Sequence, residues 1–382
     1  MRWCNWSLFG LFTIAATSTV PCSVHSTLPH DGRCLPCDQL GHPANPKSFY
    51  HIGHIATGGT LQAKGNSSTD TTHYQVAASG FDFVIDAIRG PLSDGPRVVS
   101  RQSLELDSIN FRAEDFLRIY HEISDMLRQP GALGVVVSAG SSTLAQLAKF
   151  LEHTLDPNKR VILTAAFKPY TAYGADGPGN LLASIRAITT PGWSGVGILI
   201  NDRILRPHGT VKSNGYFKPG PGTYFADIRN FKPRFKHHQW EIPKTINISS
   251  LSPEHELPRV EVITRSLDFD VRIVEDAIAR NVEGLIFVGY DDGYWPDKSR
   301  YRIEELAQEY PHVIMVMVSQ DPTITVEYER VAGLMRGGRW NPDQLQPILQ
   351  IAICSLPSRE EIQEFILEPF RPADLRRSRV DW

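Results

Sequence analysis

The amino-acid sequence predicts an α/β protein of two lobes, each a mostly parallel sheet with flanking helices. Short apolar runs rich in β-branched residues recur along the chain, continuous enough for strands covered on both faces. Helical periodicities lie between them, and such alternation marks strand–helix–strand units stacked in layers. The 382 residues suit two domains, and 41% apolar with 21% charged residues leave ample material for a core. Collagen, long coiled coil, disulfide scaffold and wholesale disorder are excluded. With 39 basic against 42 acidic residues the formal charge is −3, so nucleic acid and anionic membrane are not expected partners.

Residues 1–22 read as a secretory signal peptide. Arg2 precedes an apolar run over 6–16, small residues follow, and Pro21 closes the stretch. The run is too short to anchor the chain in a bilayer. A secreted chain is therefore expected, in which Asn66-Ser-Ser and Asn247-Ile-Ser are glycosylation sequons. Residues 23–47 form a leader rich in Gly and Pro. Its Cys34-Leu-Pro-Cys37 lacks the second ligand pair of a zinc site and the helix of a redox motif, so neither metal nor cofactor is expected.

The first lobe is assigned to 48–235. Strands are expected around 135–137, 161–163 and 196–200. Phe116, Ile119, Ile123 and Leu127 predict one helix, and Leu144, Leu147, Ala148 and Leu151 a second. The Pro-rich, polar residues 236–258 read as a linker. The second lobe, 259–370, carries expected strands around 260–263, 285–288 and 313–318. Asn341-Pro342 then opens a helix with a capping residue and a first-turn proline. A basic tail, 371–382, follows.

His51-Ile-Gly-His54 shares four letters with a nucleotide-binding signature of tRNA synthetases. Neither the lysine-rich loop nor the helix that signature needs is present, so both histidines are read as flanking or beginning a strand. Thr57-Gly58-Gly59-Thr60 follows at once. Two glycines let backbone N–H groups approach a ligand, and two hydroxyls offer a nucleophile.

The order of motifs resembles the bacterial-type (type II) L-asparaginase family. Thr57-Gly-Gly-Thr60 is followed by a polar stretch with Tyr74, a strand ending in Gly140-Ser-Ser-Thr143, then Ala175-Asp-Gly-Pro178 and Val211-Lys-Ser-Asn214. The resemblance covers about residues 50 to 365. It implies a two-domain asparaginase-like fold, a homodimer or homotetramer, and a small-molecule substrate. It further implies Thr57 as nucleophile, Tyr74 as its helper on a lid, Thr60 at the substrate, Ser103 holding the substrate carboxylate, and Lys212 as a buried catalytic lysine.

The departures concern the substrate. The family's second motif is His-Gly-Thr-Asp-Thr, against Ala139-Gly-Ser141-Ser142-Thr143 here. Ser141 keeps a hydroxyl. Ser142 removes the carboxylate that grips the substrate's α-ammonium and pairs with the lysine. Leu104 stands where a glutamine would assist that grip. The glutamate donated by a neighbouring subunit has Glu327 as its nearest candidate.

These losses predict an amide or related acyl substrate other than free asparagine, with Ser141 and Lys212 as a dyad. Alternatives are a repurposed enzyme of secondary metabolism catalysing cyclisation or rearrangement, and a catalytically inactive homologue. The aromatic loop Tyr290-Asp-Asp-Gly-Tyr-Trp295 is read as packing at a subunit contact or as a wall for a flat substrate.

Overall fold

A computed structural model describes residues 49–371 apart from 77, 79, 94, 221–223, 237–240 and 322. The expected signal peptide, the leader with Cys34 and Cys37, and tail residues 372–382 lie outside the described residues.

The first sheet has the spatial order Lys232–Phe235, Tyr224–Arg229, Arg203–Leu205, Gly195–Ile200, Arg160–Thr164, Ala132–Ser138, His51–Gly58, Arg97–Leu106. From Gly195–Ile200 to Arg97–Leu106 all pairings are parallel, and beyond Gly195–Ile200 the strands turn antiparallel. The expected runs at 135–137, 161–163 and 196–200 lie inside three of these strands.

His51–Gly58 is buried along its whole length because neighbours cover both edges and helices both faces. His54 is one of its buried polar residues. Its Nδ1 lies 3.1 Å from Ser100 Oγ and its Nε2 2.9 Å from Ser138 Oγ, on the strands to either side. Burial lowers its pKa to about 4, so the ring is neutral. His54 is therefore a cross-strand stitch within a strand.

From His51–Gly58 the chain moves to Arg97–Leu106 on one side, then returns to Ala132–Ser138 on the other. In open α/β sheets the crevice at such a reversal, beyond the carboxyl ends of the strands, is where ligands bind.

A second, parallel sheet runs Val260–Thr264, Gly284–Gly289, Ile314–Ser319, Met335–Arg336. Helix Pro342–Ser355 covers it. As the sequence implies, Pro342 sits in the first turn and Asn341 Oδ1 accepts from Asp343 N at 3.0 Å. One apolar cluster runs from Ile55 and Leu147 to Ile286, Leu345 and Ile366, so the two sheets share a continuous core.

That seam holds a buried charge. Lys149, fully enclosed on helix Leu144–Glu152, donates to Glu152 Oε2 at 2.8 Å and lies 3.1 Å from His208 Nδ1. The rings of Trp340 and Phe370 face its ammonium at 4.7 Å. A dry charge is tolerated only with such partners.

The segment expected as a loose linker is closely packed instead. Ile246, Ile248 and Leu257 are buried, and Ile246 N donates to His153 O at 2.8 Å. Apolar residues spaced among its prolines give it a footing that composition alone did not show. The aromatic loop divides likewise: Trp295 is buried against Phe269 and Phe287, while Tyr290 and Tyr294 stay exposed beneath the stacked guanidiniums of Arg265 and Arg330.

Candidate active site

Three strand ends meet at the reversal. Gly59 has φ +72°, and a Cβ there would stand 2.5 Å from Gly140 Cα. A Cβ on Gly140 would stand 2.4 Å from Ser108 Oγ. Only glycine at both positions lets the loops after His51–Gly58, Ala132–Ser138 and Arg97–Leu106 close on one another. Hydrogen bonds join them: Gly59 N to Leu106 O at 3.1 Å, Ser142 N to Ser108 Oγ at 3.2 Å and Thr143 Oγ1 to Ser108 O at 3.2 Å.

The two threonines have different surroundings. Thr57 is fully buried, and its hydroxyl donates to Ser138 O at 3.2 Å. That corrects the expected nucleophile: a hydroxyl sealed in the sheet and committed to a main-chain carbonyl has no approach to substrate. Thr60 lies beyond the glycine turn, partly exposed, with its Oγ1 3.2 Å from Tyr74 Oη.

Tyr74 comes from the hairpin Lys64–Gly65/Tyr74–Gln75. The segment before it is fastened down by Tyr170 N to Ala63 O at 3.1 Å, Tyr173 N to Ser68 O at 2.8 Å, and Gly65 N to Thr171 Oγ1 at 2.9 Å. Asn66 is exposed on this segment, and Asn247 is exposed elsewhere on the surface.

Ser103 and Leu104 are also corrected. Ser103 is buried and donates to Glu122 Oε1 at 3.0 Å, on helix Ala113–Arg128, and Leu104 belongs to the apolar core. Both lie within strand Arg97–Leu106 and short of its end. The strand ends at Asp107-Ser108-Ile109, where Ser108 is buried against the loop at 140–142 and Ile109 is 67% exposed.

Ser141 and Lys212 do come together. Lys212, on the hairpin Val211–Ser213/Tyr216–Lys218, donates from Nζ to Ser141 Oγ at 2.7 Å. The expectation of a buried lysine does not hold, because the residue is exposed. Partial desolvation of its ammonium still lowers its pKa, and the Asp107 carboxylate opposes that shift.

The Phe167 ring lies 5.9 Å from Nζ. Its loop is held by Asp176 of the Ala175–Pro178 turn, whose carboxylate accepts from Phe167 N at 2.9 Å and Lys168 N at 3.0 Å. Sequence reasoning missed Asp107, Ser108 and Phe167. An Asp-Ser pair at the end of an alternating strand was the available signal for the first two.

A family model described as "Asparaginase, N-terminal" matches residues 51–219, the segment that carries all of these groups. L-asparaginase 2 of Bacillus subtilis is 25% identical over 84% of this chain and 87% of its own length. L-asparaginase 2-1 of Saccharomyces cerevisiae is 26% identical over 83% of this chain and 89% of its own. The fold matches a crystal structure of a "Probable Cytoplasmic L-asparaginase" from Campylobacter jejuni with TM-score 0.76 and 24% identity, covering 83% of this chain and 99% of that one. Residues 51–219 thus match the asparaginase N-terminal model, and over four fifths of the chain is similar to L-asparaginases.

Where the motifs of those relatives carry an aspartate, this chain has an exposed serine, Ser142. Glu327 is exposed in the second lobe, its carbonyl accepting from Arg336 Nη1 at 3.2 Å. A groove of about 500 Å³ between 329–336 and 359–368 shares no residue with the threonine site. Among the described residues no group of three or more His, Cys, Asp and Glu side chains is arranged to hold a metal ion, and no helix is long and apolar enough to cross a membrane.

Proposed function

We propose that this asparaginase-family hydrolase cleaves a carboxamide whose α-nitrogen is acylated and therefore uncharged. Thr60 Oγ attacks the amide carbon while its proton leaves along the hydrogen bond to Tyr74. Ammonia departs with a proton, leaving an acyl ester on Thr60. Water then attacks the ester, Ser141 and Lys212 accept its proton, and the acid is released. Ser108, at the end of its strand, takes the carboxylate-holding part expected of Ser103. Ile109 then follows it where the family pattern has glutamine.

The observation that supports this reading is the pair of side chains at the positions where the family pattern grips an α-ammonium. Ser142 is an exposed hydroxyl and Ile109 an exposed hydrocarbon, so neither supplies a negative charge. A buried ammonium deprived of its carboxylate costs about 3–5 kcal/mol, and an exposed one about 1 kcal/mol or less. The exposure here places the penalty between those limits, at roughly ten- to a thousandfold in rate. A neutral amide nitrogen avoids it.

Mass spectrometry of the enzyme quenched during turnover of N-acetyl-asparagine tests the chemistry. The expected mass increment is that of the acyl group on the peptide bearing Thr60. An adduct on Thr57, or ammonia release with the Thr60→Ala variant, would overturn the assignment.

A further inference from the structure

Beside Ser142 lies a cleft of about 260 Å³ whose walls, Lys212 apart, take no part in the proposed hydrolytic steps. One wall is helix Leu144–Glu152, with Gln146 facing inward. Another is Lys212 on its hairpin, and the third is the start of helix Pro342–Ser355, with Asn341 and Asp343. Ser142 and Lys212 line this cleft, and Lys212 also reaches Ser141 of the catalytic cluster, so the two spaces adjoin.

The floor is rigidly built. Gln344 is buried, and its Nε2 donates to Pro207 O at 3.1 Å and Thr210 O at 2.9 Å, tying the Lys212 arm to the second lobe. The hollow therefore does not depend on a mobile loop for its shape.

We infer that the cleft is a subsite for an extended, peptide-like chain attached to the substrate's α-nitrogen, so that the preferred substrates are N-acylated or peptidyl asparagine residues. This rests on the proposed hydrolase reading and names its substrate class.

Position decides the first part. On the proposed reading Ser142 faces the α-nitrogen, and Ser142 lines the cleft, so a group attached to that nitrogen is directed toward it. A carboxylate at 142 would have stood in this mouth. Chemistry decides the second part. The walls present amides on Gln146 and Asn341, an ammonium on Lys212 and a carboxylate on Asp343, with apolar surface confined to Ala145 and Val211. Mixed donors and acceptors around a narrow space suit a backbone carrying alternating N–H and C=O groups. A fatty acyl chain would leave these groups unpaired. At about 260 Å³ the space is below the range usual for whole drug-sized ligands, which suits a short extension of one or two residues.

The test is calorimetric titration of the full chain with asparagine whose α-nitrogen carries acetyl, acetyl-glycyl or acetyl-diglycyl. Ammonia release from the same compounds is measured separately. Affinity is expected to rise at least fivefold from acetyl to acetyl-diglycyl. Gln146→Trp, which fills the cleft from a half-exposed helix position, should abolish that gain and leave N-acetyl-asparagine within twofold. Should that variant fail to fold, Asp343→Ala at an exposed site should reduce the gain by half or more.

Affinity indifferent to chain length, no binding of any of the three compounds, or equal weakening of all three by Gln146→Trp would overturn the subsite. Length-dependent binding without ammonia from any compound would leave the subsite standing and defeat the hydrolase reading. Ammonia from all three with length-independent binding would do the reverse.

Discussion

Replacing each threonine of the Thr-Gly-Gly-Thr turn by valine separates structure from chemistry within four residues. Valine keeps the branched shape and removes only the hydroxyl. At position 57 the lost group donates to Ser138 O within the sealed sheet. A buried acceptor losing a partner costs about 1–3 kcal/mol. Thr57→Val should therefore lower stability by that amount, while kcat/KM on N-acetyl-asparagine stays within about threefold, since no group at the site has moved. At position 60 the partner is Tyr74 Oη, 3.2 Å away and half exposed, so stability should change by less than about 1 kcal/mol. Loss of the attacking oxygen should lower kcat at least about a thousandfold, equivalent to about 4 kcal/mol of transition-state stabilisation. Urea unfolding and steady-state ammonia release measure both quantities. If Thr57→Val abolishes turnover in a fully stable protein while Thr60→Val remains active, the placement of the nucleophile is refuted.

Three further outcomes follow from the same geometry. His54 and His153 are buried and His208 is half-buried, and desolvation lowers the pKa of all three, so below about pH 6.5 the unfolded chain takes up protons that the folded chain refuses. Stability is complete above that pH and falls on acidification. His54 alone accounts for about 3 kcal/mol between pH 6.5 and its value of about 4, and a urea midpoint unchanged between pH 7.5 and 5 would contradict this. Asp107 holds up the Lys212 pKa against desolvation, so Asp107→Asn should move the rising limb of the pH–kcat/KM profile to lower pH; no movement, or a shift upward, would remove Lys212 as the base. Ser142→Asp restores a carboxylate at the mouth of the cleft. It should raise kcat/KM for free asparagine at least about tenfold and lower that for acetyl-diglycyl-asparagine, and a variant that changes neither would disconnect position 142 from selectivity.

The strands that were legible in the sequence are those buried on both faces. Residues 135–137, 161–163 and 313–318 are unbroken apolar runs because water reaches neither side of them. Arg97–Leu106 lies at the sheet edge, with Arg97 and Arg101 on one partly exposed face and Ser100 and Gln102 on the other. Its pattern is therefore mixed and its end is not legible, so the serine expected to hold a carboxylate, Ser103, falls inside the strand while Ser108 stands at its end. The surroundings of the two threonines were not legible for another reason. The motif reads nearly the same from either end, and only the turn at Gly58 and Gly59, with φ of +97° and +72°, sends one hydroxyl into the sheet and the other into the crevice. The Ser141–Lys212 pairing was legible because each residue sits in its own recognisable motif. The enclosure of Lys149 was not, since its partners at 152, 208, 340 and 370 come from four separate stretches of chain.

The central claim is that this threonine site selects against a free α-ammonium group. A one-pot competition tests it most directly, with equal concentrations of ¹⁵N-amide asparagine and unlabelled N-acetyl-asparagine and isotope analysis of the ammonia released at low conversion. The account predicts at least ten molecules from the acetylated compound for each one from asparagine. Ammonia drawn mainly from asparagine would contradict it.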